Sequence, residues 1–116
     1  MKKNPIVPKS YNFALKVVRL YKHLSEERNE SVLSGQFLRS GTNIGANLEE
    51  VSGGYSSEGL PKKIDVAYKE SCGTKYWLRL LRDNNYIKKS EFEELFNDCD
   101  ELSKLLSKML KNVKIS

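Results

Sequence analysis

The chain has 116 residues, 30% of them charged and 39% apolar, with a formal net charge of +5. That length supports one core and hence a single domain over 1–116, and the composition is that of a helical protein and too apolar for a disordered chain. No stretch approaches the roughly 18 apolar residues of a membrane span, and the lysines of "MKKNPIVPKS" precede no apolar run of signal-peptide length, so a cytoplasmic protein is expected.

The first periodic segment runs from about Ser10 to Glu27, after a flexible tail over residues 1–9. Pro8 and Ser10 are start signals, and Phe13, Val17, Leu20 and Leu24 recur at helical spacing. After the break "SEERNES" a second helix is expected from about Val32 to Ser52. "SGGYSSEG" ends it. A third runs from about Glu58 to Asn84, with Leu60, Ile64, Ala67, Ser71, Thr74, Leu78 and Leu81 in three-four steps. Pro61 is tolerated there because it falls in the first turn. The fourth opens with Ser90 and Glu93, which fit a capping box. Its apolar stripe is Phe92, Leu95, Phe96, Cys99, Leu102, Leu106, Met109 and Val113, and its acidic front and basic rear match the helix dipole. Four long helices with short connections predict an all-α, antiparallel up-down-up-down four-helix bundle.

The second segment holds the least helix-like stretch, "LRSGTNIGANLEE". A phosphate-binding loop would show GxxxxGK[ST] or GxGxxG after a strand, and neither pattern is present. Gly41 and Gly45 instead share one helix face with Leu38 and Leu48. Each glycine costs a helix about 1 kcal/mol relative to alanine, which close approach of a neighbouring element would offset. The other side carries Gln36, Arg39, Asn43, Asn47 and Glu50. This polar ladder reads either as a solvated face or as a partner for the third helix, where Glu70 could meet Arg39.

Catalysis and metal binding find little support. His23 is the sole histidine. Glu49–Glu50 and Glu93–Glu94 are sequence neighbours and diverge around a helix. No HxxxH, Glu-x-x-His or clustered Cys/His pattern occurs, and no cofactor is implied. Cys72 and Cys99 lie among apolar residues and are expected to be buried free thiols, with a disulfide between them the minority reading.

The first 29 residues carry seven Lys/Arg against two Glu, while the remainder is neutral. Lys9, Lys16, Arg19 and His23, with Lys22 beside them, form a row on the first helix, and Lys75, Arg79 and Arg82 a row on the third. Such rows can track a polyphosphate without reading bases, although lysines that merely solubilise a small domain have the same composition. A second apolar row, Tyr11, Ala14, Val18 and Tyr21, flanks the core row of the first helix. Gly73, Tyr76, Trp77 and Leu80 do the same on the third. These widened arcs point to self-association, or else to a monomer whose rings cap its own core.

"SYNFALKVVRLYKHL", "QFLRSGTNIGANLEE" and "YKESCGTKYWLRLL" resemble, in order and separation, the signature blocks of the four-helix-bundle proteins encoded within intervening sequences of bacterial 23S ribosomal RNA. Asn43 stands where that family usually has serine, and "VSGGYSSEGLPKKI" is a weaker form of its entry to the third helix. The resemblance implies a left-handed bundle assembling into a ring, by analogy a homopentamer. It also implies kinship with the accessory protein of diversity-generating retroelements, which binds nucleic acid through a basic surface. Two readings follow. One is a non-enzymatic homo-oligomer that binds structured RNA or DNA. The other is an interaction module that docks on an acidic or enzymatic partner such as a reverse transcriptase.

Overall fold

The computed structural model describes the backbone of residues 5–52 and 59–115, and the side chains of residues 5–50 and 59–113. Four helices account for nearly all of it: α1 (Ile6–Glu27), α2 (Val32–Ser52), α3 (Leu60–Asp83) and α4 (Lys89–Ile115). Most of the expected "SGGYSSEG" break lies outside the described residues.

α1 begins four residues earlier than the sequence suggests, so Ile6 to Lys9 are helix rather than tail. Pro8 sits in the first turn, where its missing N–H has no intrahelical partner to lose. Ile6 supplies the driving force, being only 1% exposed.

The connections are built by asparagine and glutamate. α3 ends in a Schellman turn in which Asn85 takes φ 65°, and the Tyr86 N–H returns to the Leu81 carbonyl at 2.9 Å. Asn29 takes φ 53° after α1, one of the few non-glycine residues that tolerates the left-handed region. Glu30 then caps α2. Its carboxylate accepts from the N–H groups of Val32, Leu33 and Ser34 at 3.1, 2.9 and 2.8 Å, while the Ser34 hydroxyl donates to the Glu30 carbonyl at 2.7 Å. Burial alone would push this carboxyl up, but the hydrogen bonds outweigh it and hold the group below the ordinary carboxylate range.

At α4 the expected capping pair is displaced. Ser90 and Glu93 both lie inside the helix, and Glu91 reaches back to accept from the Lys88 N–H at 3.0 Å. Lys88 offers no side-chain acceptor, so only half of a capping box forms.

Each helix packs on its chain neighbours and α1 also on α4, leaving α1 opposite α3 and α2 opposite α4. Hydrogen-bonded pairs set an antiparallel register: Ser40 with Thr74 and Asn43 with Glu70 between α2 and α3, Ser71 with Ser103 and Lys75 with Asp100 between α3 and α4. The core holds the expected row of α1 and that of α3 from Ile64 to Leu81, with Phe37, Ile44 and Leu48 from α2 and Phe92, Leu95, Cys99, Leu102, Leu106 and Leu110 from α4, while Leu60, Phe96, Met109 and Val113 of the expected stripes are only half-buried. Two buried hydroxyl pairs cross it, Thr74 with Ser40 at 3.0 Å and Ser71 with Ser103 at 2.7 Å. Each satisfies groups that would otherwise be costly to bury.

The cysteines part company. Cys99 is buried and donates to the Ser71 carbonyl at 3.3 Å, and burial pushes its thiol up to about 12. Cys72 is exposed, against expectation. It sits one helical step off the Ser71–Thr74 stripe, and a step of about 100° turns it out of the core.

Candidate nucleic-acid interface

The glycines of α2 set the geometry of everything mounted on α1. A Cβ built on Gly41 would stand 2.9 Å from Val17 Cγ2, and one on Gly45 would stand 3.3 Å from Ser10 Oγ and 3.5 Å from the Ser10 carbonyl oxygen. α1 therefore lies against bare α2 backbone. Leu48 is buried below this contact, while Leu38, only half-buried, stands at its outer margin.

The polar ladder of α2 faces α3. Asn43 Nδ2 donates to Glu70 at 3.1 Å, and Arg39 lies 3.7 Å from the same carboxylate. Arg39 also donates to Gln36 at 3.4 Å, Asn47 donates to the Asn43 carbonyl at 2.7 Å, and Lys63 bridges to Glu50 at 2.9 Å. The expected Arg39–Glu70 pairing is present, and Asn43 holds the shorter bond.

The basic rows behave differently. Lys9 pairs with Glu101 at 3.0 Å, and Lys16 pairs with both Glu94 and Asp98, at 2.8 and 2.7 Å. The two carboxylates, Asp98 foremost, raise the Lys16 ammonium above its usual range. Lys75 bonds Asp100 at 3.1 Å and lies 5.9 Å from the Phe96 ring centre. Arg82 bonds Asp83 at 2.8 Å and stacks 4.2 Å over Phe92. His23 meets Glu27 at 3.1 Å. Of the eight candidate cations only Arg19, Lys22 and Arg79 have no carboxylate within 4.0 Å among the described residues. The acidic residues of α4 thus do more than match the helix dipole. They neutralise cations of α1 and α3 across the helix boundaries, a pairing no local pattern reveals.

The apolar rows are exposed. Tyr11 is 58%, Val18 39% and Tyr76 51% accessible. Ala14 and Tyr21 are half-buried beside the first two, and Trp77 and Leu80 half-buried beside the third. Trp77 meets Tyr76 edge-on, with ring centres 5.1 Å apart. Gly73 faces open space, with nothing within 4 Å of a Cβ built there. Leu15, 38% accessible, extends the α1 row and was missed as part of it; its i, i+4 step from Tyr11 was the available signal.

Between α1 and α4 runs a groove of about 310 Å³, with Leu20 and Leu95 at its base and Arg19, His23, Glu91 and Glu94 along its rims. Lys16 also lines it and is paired there with Glu94 at 2.8 Å. No group of three or more His, Cys, Asp or Glu is placed to hold a metal among the described residues, and no helix there is long and apolar enough to cross a membrane.

Comparison with known proteins adds a family. Residues 2–108 match the model described as 23S rRNA-intervening sequence protein. A solved structure from Bacteroides thetaiotaomicron VPI-5482, described as a protein with unknown function from the S23 ribosomal protein family, is 42% identical and superposes with a TM-score of 0.87, covering 91% of this chain and 98% of that one. No curated protein matches the chain.

Proposed function

Because the chain belongs to the 23S rRNA-intervening sequence protein family, we propose that it is a non-enzymatic helical module that assembles into a closed homo-oligomeric ring, a pentamer by analogy, and binds the phosphate backbone of RNA or DNA in the cytoplasm. One observation carries the assembly. The exposed rows on α1 and α3 belong to helices at opposite corners of the bundle. The α1 row of one copy can therefore meet the α3 row of the next, while its own α3 row stays available. Such a head-to-tail contact closes into a ring when its rotation permits, and rings multiply weak phosphate contacts into useful avidity. The net charge of +5 supports a polyanionic partner.

Light scattering is expected to give a mass several times the 13.3 kDa of the protomer. Tyr11→Glu with Val18→Glu should yield a folded monomer, and Tyr76→Glu should weaken the same assembly from the other side. A monomeric wild-type protein, or an oligomer indifferent to both rows, overturns the ring. Salt-sensitive retention of the wild type on mixed RNA is expected. Its absence would leave the alternative, a module docking on an acidic protein such as a reverse transcriptase.

A further inference from the structure

We propose that polyanions are met by the face formed by α3 and α4, together with its outer edges, rather than by the basic row of α1. This inference rests on the nucleic-acid reading above and locates its surface. Tertiary pairing redistributes the charge. On the α1–α4 face Lys9, Lys16 and Arg19 look onto Glu91, Glu94, Asp98 and Glu101, and two of these three cations already touch an α4 carboxylate. Between α2 and α3, Arg39 and Lys63 are matched by Glu70 and Glu50. Both faces are close to neutral.

The α3–α4 side is not. Its register is set by Ser71 opposite Ser103 and Lys75 opposite Asp100, and helical stepping from those positions turns the same face outward along both helices. Over the half nearer the start of α3 and the end of α4 it presents Lys62, Lys69, Lys75, Lys104, Lys108 and Lys111 against only Asp65 and Asp100. Asp100 is shared by Lys75 and Lys104, at 3.1 Å each, and these two lysines, Lys104 foremost, hold its carboxyl below the ordinary range. Asp65 is held by Lys69 at 3.0 Å. Lys62, Lys108 and Lys111 are exposed and have no ion-pair partner among the described residues, and Arg79 continues the face toward the other end. A polyphosphate at the α1 row would have to displace carboxylates already in place, whereas at the α3–α4 face it meets uncompensated cations.

The test compares two variants of the full chain on a mixed-sequence single-stranded RNA, by fluorescence anisotropy over a salt series. One replaces Lys62, Arg79, Lys108 and Lys111 with Gln. The other replaces Arg19 and Lys22 with Gln. Circular dichroism and light scattering should match the wild type for both, since all these side chains are exposed. Each lost phosphate contact removes about 0.7 from the slope of log affinity against log salt, so the first variant should lose about 3. Between about 50 and 200 mM salt its affinity should then fall about fifty-fold less than that of the wild type. The second variant should keep the wild-type slope. If the second loses about 1.4, the full value for its two cations, or if the first loses none, the α3–α4 assignment is wrong while nucleic-acid binding stands. If the wild type shows no salt-dependent binding, both fall.

Discussion

Gly41→Ala isolates the physical reason for the glycine-containing α2. The added methyl carbon would sit 2.9 and 3.0 Å from the two Cγ atoms of Val17, inside any normal carbon–carbon contact. Val17 is 0% exposed and β-branched, so its side chain has no second rotamer to fall into. Swinging α1 away would also open its close packing on Gly45, where a built Cβ would stand 3.5 Å from the Ser10 carbonyl oxygen. Overpacking of this kind costs about 1–3 kcal/mol, and the better helix propensity of alanine returns about 1. A net loss of up to about 2 kcal/mol is expected, read by urea unfolding at fixed protomer concentration because assembly contributes to apparent stability. Gly35→Ala on the same helix has nothing within 4 Å of its new methyl and should be neutral or stabilising by up to about 1 kcal/mol. The decisive measurement is the double variant. Val17→Ala removes both Cγ atoms and leaves its Cβ at 3.4 Å, an ordinary contact. Gly41→Ala should therefore be neutral or stabilising in that background, with a coupling of about 1 kcal/mol or more. Equal effects of Gly41→Ala with and without the Val17 side chain would refute the close-approach account.

Two further outcomes follow from buried groups. Glu30→Gln removes the charge that accepts three N–H groups at the start of α2 and should cost about 1–2 kcal/mol near neutral pH. Because the folded-state carboxyl lies below its ordinary value of 4.5, its stabilisation is fully present above that value and lost as pH falls through the lower folded one. The variant should therefore show a flatter acid limb in stability against pH, and an unchanged limb would remove Glu30 as its source. For the thiols, a chromogenic disulfide reagent at pH 8 should label Cys72 readily and Cys99 only after unfolding, since burial holds the Cys99 thiol at about 12. Two equally fast thiols in the native protein would contradict the packing of α4 on Ser71.

Local chemistry carried far in this chain. Three-four spacing placed Phe13, Val17, Leu20 and Leu24 of α1, and Ile64 through Leu81 of α3, on buried stripes, because a helix turns every 3.6 residues whatever surrounds it. The i, i+4 glycines predicted close approach, and α1 does lie against them. The polar ladder of α2 offered Glu70 as a candidate partner for Arg39, and the two lie 3.7 Å apart. Local chemistry failed where two equivalent acceptors competed. Ser90 and Glu93 suggested a cap, but Glu91 makes the bond to Lys88. The role of Glu30 was hidden because a glutamate before a helix is an unusual cap, functional here only because the turn at Asn29 folds its carboxylate back onto three free N–H groups.

Helical periodicity and the glycine spacing, both properties of neighbouring residues, were enough to determine the bundle and the thinness of α2. Charge could not be settled that way. Counted along the chain, the excess of cations lies in the first 29 residues, yet Lys9 and Lys16 meet Glu101, Glu94 and Asp98 more than 75 positions away. Coulomb energy depends on distance through space rather than along the backbone. Only the packing of α4 between α1 and α3 decided which cations are neutralised and which remain for a partner.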